Sequence, residues 1–141
     1  MTDIRAVAVL NDLLAAENRS LAPRLFESTV FVSRFDIDAH RLVQRMNRAA
    51  REHAASLTSL ILDLGGEPNP LRLDVSTADL HFLELHAVLP RLIDDQSRVV
   101  RAYSRAGASL AHAPRVAAVV ARFLAEHQQS LDALRATPKA A

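Results

Sequence analysis

The sequence predicts an all-α protein, and within that class a bundle of four helices. Apolar residues recur at intervals of three and four along most of the 141 residues, which is the spacing of amphipathic helices. Strong turn signals are few, and the clearest is "GGEPNP" at residues 65–70. A chain of this length fits one domain with one core. We expect that domain at residues 1–136, followed by a flexible tail at residues 137–141.

The first two helices are predicted at residues 3–35 and 38–64, with core-facing stripes that follow the helical period. The stripe of the first helix comprises Val7, Leu10, Leu14, Leu21, Leu25, Ser28 and Val32. The stripe of the second comprises Met46, Ala50, His53, Leu57, Leu60 and Leu64. Gly65 is expected to cap the second helix, because glycine readily adopts the left-handed conformation found at helix C-termini.

The third and fourth helices are predicted at residues 76–106 and 114–135. The third directs a similar stripe inward, formed by Leu85, Leu89, Leu92, Val99 and Tyr103. Gly107 is expected to end this helix. Pro114 suits the first position of the fourth helix, where the missing N–H group of proline is not needed.

The connector at residues 65–75 favours two antiparallel hairpins joined by a long crossover. About 11 extended residues span ~36 Å, and a helix of about 26 residues is ~39 Å long. The joints near residue 36 and at residues 107–113 are short and require antiparallel neighbours. An up-down-up-down bundle stays open as the alternative, because a long loop need not be extended.

Composition argues against several classes of function. A net charge of +1, one Tyr and no Trp provide no basic stripe with stacking aromatics, so nucleic-acid binding is not expected. No apolar run approaches the ~20 residues of a membrane span, so membrane association is not expected. The absence of Cys excludes disulfides and thiolate metal sites. The N-terminal segment lacks the basic region of a signal peptide, and a cytoplasmic location is expected.

Each predicted helix places one polar residue on its core-facing side. These residues are Glu17, His53, Gln96 and His127, in helix order. Glu17 and His53 lie about equally far from the first bend, and Gln96 and His127 lie about equally far from the second. Antiparallel pairing should therefore bring all four together in the middle of the bundle, where buried polar groups require partners.

Four further carboxylates near these positions are expected at the surface. Asp94 lies among arginines on the outer face of the third helix, where ion pairing at i,i+4 is its natural role, and Asp95 lies at the flank. Glu52 and Glu126 precede the two core histidines and are rotated from them by ~100°. We expect both glutamates to face neighbouring arginines.

Three features of the sequence resemble a known family. The segment "LNDLLAAE" ends at Glu17, His53 follows 36 residues later, and "LILDLGGEPN" closes the second helix. Together they resemble the first half of the ferritin-like superfamily, closest to its bacterioferritin and rubrerythrin-type four-helix bundles, over roughly residues 10–70. In the second half the resemblance is carried by His127 with Leu131 and Leu134.

The resemblance implies a ferritin-like four-helix bundle built around a di-iron site. In the family the second and fourth helices each carry Glu-x-x-His, and the first and third each add one glutamate. By that pattern Glu17, His53 and His127 occupy metal-binding positions. The haem-binding methionine of the family would fall just before His53 and is replaced by Arg51 or Glu52, so no haem is expected.

The other metal-binding positions implied by the resemblance have lost their glutamates, which makes the di-iron site degenerate. Ala50 and Leu124 stand three residues before the two histidines, and the third-helix ligand falls on Gln96 or, with a shift, on Asp95. Two cations held a few Å apart repel each other, and about four carboxylates are needed to offset that repulsion. We therefore expect no two-metal centre.

Two interpretations of the core cluster stay open. In the first, Glu17, His53, Gln96 and His127 satisfy one another as a metal-free polar network. In the second, Glu17, His53 and His127 bind one divalent ion, and Gln96 or water completes the site. The ion would be Fe, Mn or Zn, and the sequence does not distinguish among them.

The favoured function is that of a ferritin-like bundle with a degenerate metal centre, in a structural or interaction role without ferroxidase activity. The alternative is a metal-dependent oxidoreductase or metal-storage protein. We expect a homo-oligomer, because Phe26, Val30, Phe31 and Leu83 lie off the core-facing stripes. The sequence indicates no substrate, no other protein partner and no oligomer size.

Overall fold

The structure, a computed structural model, describes residues 3–22, 37–69 and 85–137. Its helices are α1 (Ile4–Asn18), α2 (Ile37–Asp63), α3 (Leu85–Ala108) and α4 (Pro114–Ala136). No β-strand occurs in these three ranges. The prediction of an all-α protein with four helices is therefore confirmed for the described residues, although the first helix is interrupted and the third ends two residues later than predicted.

The predicted continuous helix over residues 3–35 is wrong at its centre, because α1 ends at Asn18 and the chain is helical again only from Leu21. Ser20 lies at the break. Its backbone N–H and its hydroxyl both donate to the carbonyl oxygen of Glu17, at 3.1 and 2.7 Å. In a continuous helix that carbonyl would accept from Leu21. The Leu21 N–H instead donates to Oδ2 of Asp95 at 2.7 Å.

The end of α2 has the geometry predicted from Gly65. This glycine has a φ of 79°, and its N–H donates to the carbonyl of Leu62, while the Gly66 N–H donates to the carbonyl of Ile61. These two hydrogen bonds form a Schellman motif, which satisfies carbonyls that the end of the helix would otherwise leave free.

The prediction that Gly107 ends the third helix is wrong, because α3 continues to Ala108 and Gly107 lies within it. The sequence signal was ambiguous, since a glycine near a helix end is tolerated in the last turn as well as beyond it. Pro114 is the first residue of α4, as predicted.

Buried apolar residues form two clusters, one towards each end of the bundle. The first cluster comprises Ala6, Leu10, Leu13, Leu14, Leu57, Ile61, Val99, Tyr103, Ala106, Leu110, Val116, Val120 and Phe123. The second cluster comprises Leu21, Ala22, Ala39, Leu42, Val43, Met46, Val88, Leu89, Leu92 and Leu134. All four helices contribute to the first cluster, and burial of such side chains, at roughly 1.5–3 kcal/mol each, is the main force that joins them.

The clusters also give the direction of each helix. α2 runs from Ala39 in the second cluster to Ile61 in the first, and α3 runs the same way, from Val88 to Ala106. α1 and α4 run oppositely. α1 packs on α2 and α3, and α4 packs on the same two helices. Two antiparallel hairpins result, and the end of α2 and the start of α3 lie at opposite ends of the bundle.

Several predictions fall on residues that the structure does not describe. The crossover predicted at residues 65–75 is described only up to residue 69, and there Asn11 of α1 donates to the Glu67 carbonyl at 3.1 Å. The apolar positions that suggested self-association, namely Phe26, Val30, Phe31 and Leu83, lie outside the described residues, as does the tail at 138–141. Among the described helices, none combines the length and the apolar character that crossing a bilayer requires.

Candidate metal centre

The four polar side chains predicted to meet in the core do meet there, between the two apolar clusters. Their exposed fractions are 2% for Glu17, 4% for His53, 4% for Gln96 and 6% for His127. Each comes from a different helix, from α1 to α4 in chain order. The predicted convergence is confirmed, and it brings together groups from parts of the chain as far as 110 residues apart.

Glu17 lies at the centre of this group. Its Oε1 atom accepts a hydrogen bond from the Tyr103 hydroxyl at 2.6 Å and lies 2.6 Å from Nε2 of His127. The same oxygen is 3.3 Å from Nδ1 of His53. Its Oε2 atom is buried and has no hydrogen-bond partner among the described residues. One carboxylate oxygen thus lies within 3.3 Å of three polar side-chain atoms, and the other has no such partner among the described residues.

These contacts set the charge of Glu17. Burial alone would raise the pKa of its carboxyl group, because a buried carboxylate loses its hydration. Hydrogen bonds from His127, His53 and Tyr103 together outweigh burial and hold the pKa below its ordinary value of 4.5. Glu17 is therefore ionised at neutral pH, and it is the negative charge around which the core is organised.

His53 links this centre to the surface through Glu126. Its Nε2 atom lies 2.9 Å from Oε2 of Glu126, whose side chain is 50% exposed. Burial alone would lower the pKa of His53, but hydrogen bonds and charge from Glu17, and then from Glu126, raise it above 6.5. Nε2 thus faces the Glu126 side chain, and Nδ1 is the nitrogen that faces Glu17. The expectation that Glu126 faces arginines is wrong, whereas Glu52 is exposed, as expected.

Gln96 fixes the tautomer of His127. Its side-chain nitrogen lies 3.0 Å from the backbone carbonyl of His127 and 3.0 Å from Nδ1 of the same residue. A carbonyl only accepts, so this amide nitrogen donates one hydrogen to it and the other to Nδ1. Nε2 of His127 must then carry the ring hydrogen, which it donates to Glu17. Gln96, a candidate metal ligand from the sequence, thus contacts the nitrogen of His127 that faces away from Glu17.

Tyr103 is the member of the cluster that sequence reasoning missed. The sequence predicts Tyr103 as a core residue, and the residue is fully buried, but the helical pattern indicates no partner for its hydroxyl. Burial and the negative charge of Glu17 raise its pKa, so the hydroxyl stays protonated and donates. A signal was present, because a buried tyrosine usually bonds its hydroxyl, and Tyr103 lies two helical turns from Gln96.

Three of the four predicted metal ligands present their ligand atoms to a common point. The ligand atoms of Glu17, His53 and His127 all lie within 4.8 Å of one another. The closest atoms form a triangle with sides of 2.6, 3.1 and 3.3 Å. Ligands ~2.1 Å from a tetrahedral ion are ~3.4 Å apart. Small movements would therefore bring these three side chains to one ion, and binding would also require the ring hydrogen of His127 to leave Nε2 for Nδ1 and the Gln96 amide to turn away from Nδ1.

The residues do not fit the two-metal centre implied by the family resemblance. Ala50 lines a cavity of about 10 Å³ beside both imidazoles, and Leu124 packs against the first apolar cluster. Neither supplies a carboxylate, and the cavity has room for about one water molecule. Asp95, the shifted alternative for the third-helix ligand, is engaged with Leu21 and Arg98. The expectation that Asp95 is a surface carboxylate is also wrong, since its side chain is 14% exposed.

Comparison with known proteins gives no match, whether with family models, with curated proteins or with solved structures. The ferritin-like resemblance therefore rests on the residues quoted above, and function must be argued from the geometry of the site.

Proposed function

We propose that this protein is a ferritin-like four-helix bundle with a degenerate metal centre, which holds one divalent ion in a structural role and has no ferroxidase activity. The observation that carries the proposal is the convergence of three ligand atoms, from Glu17, His53 and His127, at the centre of the core. Two imidazoles and one carboxylate are a common ligand set for a single divalent ion.

The unpartnered Oε2 atom of Glu17 supports metal binding. A buried ionised carboxylate oxygen without a partner costs free energy, and a cation coordinated to Glu17 would offset this cost. The bound ion would supply positive charge at the place where the core concentrates negative charge. Since its three ligands come from α1, α2 and α4, it would also join three helices, which is the basis of the structural role.

The absence of ferroxidase activity follows from Ala50 and Leu124. These apolar residues occupy the positions at which the family carries carboxylates, so nothing there offsets the charge of a second cation. The first is small and lines the cavity, while the second belongs to the apolar packing. Iron oxidation that requires two adjacent ions therefore lacks its second binding position.

A titration of the metal-free protein tests the binding site. The protein is treated with a chelator, dialysed, and titrated with Zn(II), Mn(II) or Fe(II) under anaerobic conditions, with calorimetry and melting temperature as readouts. We expect one ion per chain, and an ion at about 100 times its Kd should stabilise the fold by about 2.7 kcal/mol. His53→Gln should abolish binding, whereas His40→Gln, which removes a histidine outside the cluster, should retain it.

Failure of all three ions to bind would reject the metal role and leave the cluster as a metal-free polar network. Ferroxidase activity is tested separately, by following Fe(II) oxidation in air. We expect Fe(II) to be oxidised at the same rate with the protein as in buffer alone. Faster oxidation, with about two irons bound per chain, would contradict the proposal.

A further inference from the structure

We infer that the ion held by Glu17, His53 and His127 is four-coordinate, so that the site selects Zn(II) or Co(II) over ions that require six ligands. The inference rests on the proposed function, because it specifies the ion at the same site. It concerns the number of ligands that the core can supply, which the sequence left open.

The identity of the ligand atoms limits the choice of ion. Two of the three are imidazole nitrogens, Nδ1 of His53 and Nε2 of His127, and only one is a carboxylate oxygen. Mg(II), Ca(II) and Mn(II) prefer oxygen ligands, whereas imidazole suits Zn(II) and its neighbours in the first transition series. The ligand set therefore favours a borderline ion.

The space around the three ligands limits the coordination number. A six-coordinate ion needs three ligands beyond these side chains, and a cavity holds one water only if about 10–15 Å³ of it is open to the centre of a water-sized sphere. The cavity beside the imidazoles has a volume of about 10 Å³. This is enough for about one water molecule, so three additional waters do not fit.

An aromatic ring packs against each of the two imidazoles. The ring of Phe123 lies 4.2 Å from that of His53, and the ring of Tyr103 lies 4.9 Å from that of His127. Neither ring offers a ligand atom at its face. The fourth ligand is thus either one water from the cavity or the unpartnered Oε2 of Glu17, and both choices leave no room for a fifth and a sixth ligand.

Glu126, on the far side of His53, also favours binding of the ion. By accepting the Nε2 hydrogen at 2.9 Å, it leaves Nδ1 available to the ion and fixes the orientation of the ring. A carboxylate behind a metal-bound histidine is a common arrangement at zinc sites. Ser20, Ser130 and Glu126 also line the cavity, which gives a cation a polar route to the ligands.

The test uses the visible spectrum of Co(II), because four-coordinate Co(II) absorbs far more strongly than six-coordinate Co(II). The metal-free full-length protein is titrated with Co(II), and Zn(II) is then added. We expect intense visible bands that saturate at one Co(II) per chain and disappear as Zn(II) displaces it. X-ray absorption of the Zn(II) form should give four nitrogen and oxygen neighbours at about 2.0–2.1 Å.

The two proposals fail in different ways. Binding of one Co(II) per chain with the weak spectrum of a six-coordinate ion would overturn the inference and leave the proposed function intact. Absence of binding by both Co(II) and Zn(II) would reject the metal site itself, and the inference with it. His53→Gln should remove the bands, whereas His40→Gln should keep them.

Discussion

Tyr103 donates its hydroxyl hydrogen to Oε1 of Glu17 across 2.6 Å, joining α3 to α1 inside the core. Both residues are almost completely buried. The same carboxylate oxygen also lies near His127 of α4 and His53 of α2. A single ionised oxygen is thus surrounded by one group from each of the other three helices.

Replacing Tyr103 with Phe should lower the free energy of unfolding by about 1.5–3 kcal/mol, because a hydrogen bond to a buried charged group is lost while the ring is retained. Urea denaturation in the presence of a chelator measures the change. The chain has no second tyrosine and no tryptophan, so the variant loses its main near-ultraviolet signal, and amide NMR spectra of both proteins provide the check that the core is otherwise unchanged. Equal stability of the two proteins would show that the hydroxyl does not stabilise the Glu17 charge.

The metal-free protein should be most stable between pH 4.5 and 6.5, the ordinary pKa values of Glu17 and His53. Folding lowers the pKa of Glu17. The stabilisation that Glu17 gives to the folded protein is therefore complete above pH 4.5, and it is lost as the pH falls through the pKa of the folded state. Folding raises the pKa of His53. The stabilisation that His53 gives to the folded protein is therefore complete below pH 6.5, and it is lost as the pH rises through the pKa of the folded state. Stability should therefore decline above 6.5, following linkage.

Urea denaturation at about pH 5.5 and about pH 8.5 measures this decline. The stability of the variant His53→Gln should change much less between these two pH values, whereas the stability of His40→Gln should decline as that of the wild type does. If His53→Gln declined as steeply as the wild type, another group would be responsible.

Asp95→Ala should destabilise the protein by about 1 kcal/mol, the usual effect of losing a side-chain acceptor at a helix start. The carboxylate accepts the Leu21 N–H at 2.7 Å, where the chain becomes helical again. Asp94→Ala is the matched control, since Asp94 is exposed and its removal should change stability by no more than about 0.5 kcal/mol. Equal effects of the two substitutions in thermal denaturation would argue against this role of Asp95.

Gly66→Ala and Gly107→Ala should have opposite effects on stability. A Cβ atom at Gly66 would lie 2.6 and 2.7 Å from the two methyl groups of Val7, and such overpacking costs about 1–3 kcal/mol. A Cβ atom at Gly107 meets nothing within 4 Å, and alanine within a helix is about 0.5–1 kcal/mol more favourable than glycine. Melting temperatures should therefore fall for the first variant and rise for the second, and a shift of the same sign in both would contradict this packing.

Ala50→Glu should restore a carboxylate beside the two imidazoles, since Ala50 lines the adjacent cavity. Without metal, the buried charge should destabilise the fold by at least several kcal/mol. Added Zn(II) should recover stability by binding the folded state, and the rise in melting temperature should exceed that of the wild type. Ala50→Gln has a similar volume without the charge, so an equal metal-dependent rise in both variants would show that position 50 does not face the ion.

The amino-acid sequence by itself determined the helical class and the four polar core residues. The 3.6-residue period places a side chain on the inner or outer face of its own helix, and this local geometry does not depend on the neighbouring helices. For the same reason Gly65 could be identified as a helix cap, because its role depends on backbone conformation alone.

Only the tertiary structure decided which atoms of these residues meet. Glu126 bonds to His53, Asp95 bonds to Leu21 and Tyr103 bonds to Glu17. Each contact joins two segments distant in sequence, and it depends on how far each helix is rotated about its axis and shifted along it. The helical period predicts neither quantity, since both follow from the packing of complete side chains between helices. A flank carboxylate assigned to the surface can thus reach a buried imidazole, as Glu126 does.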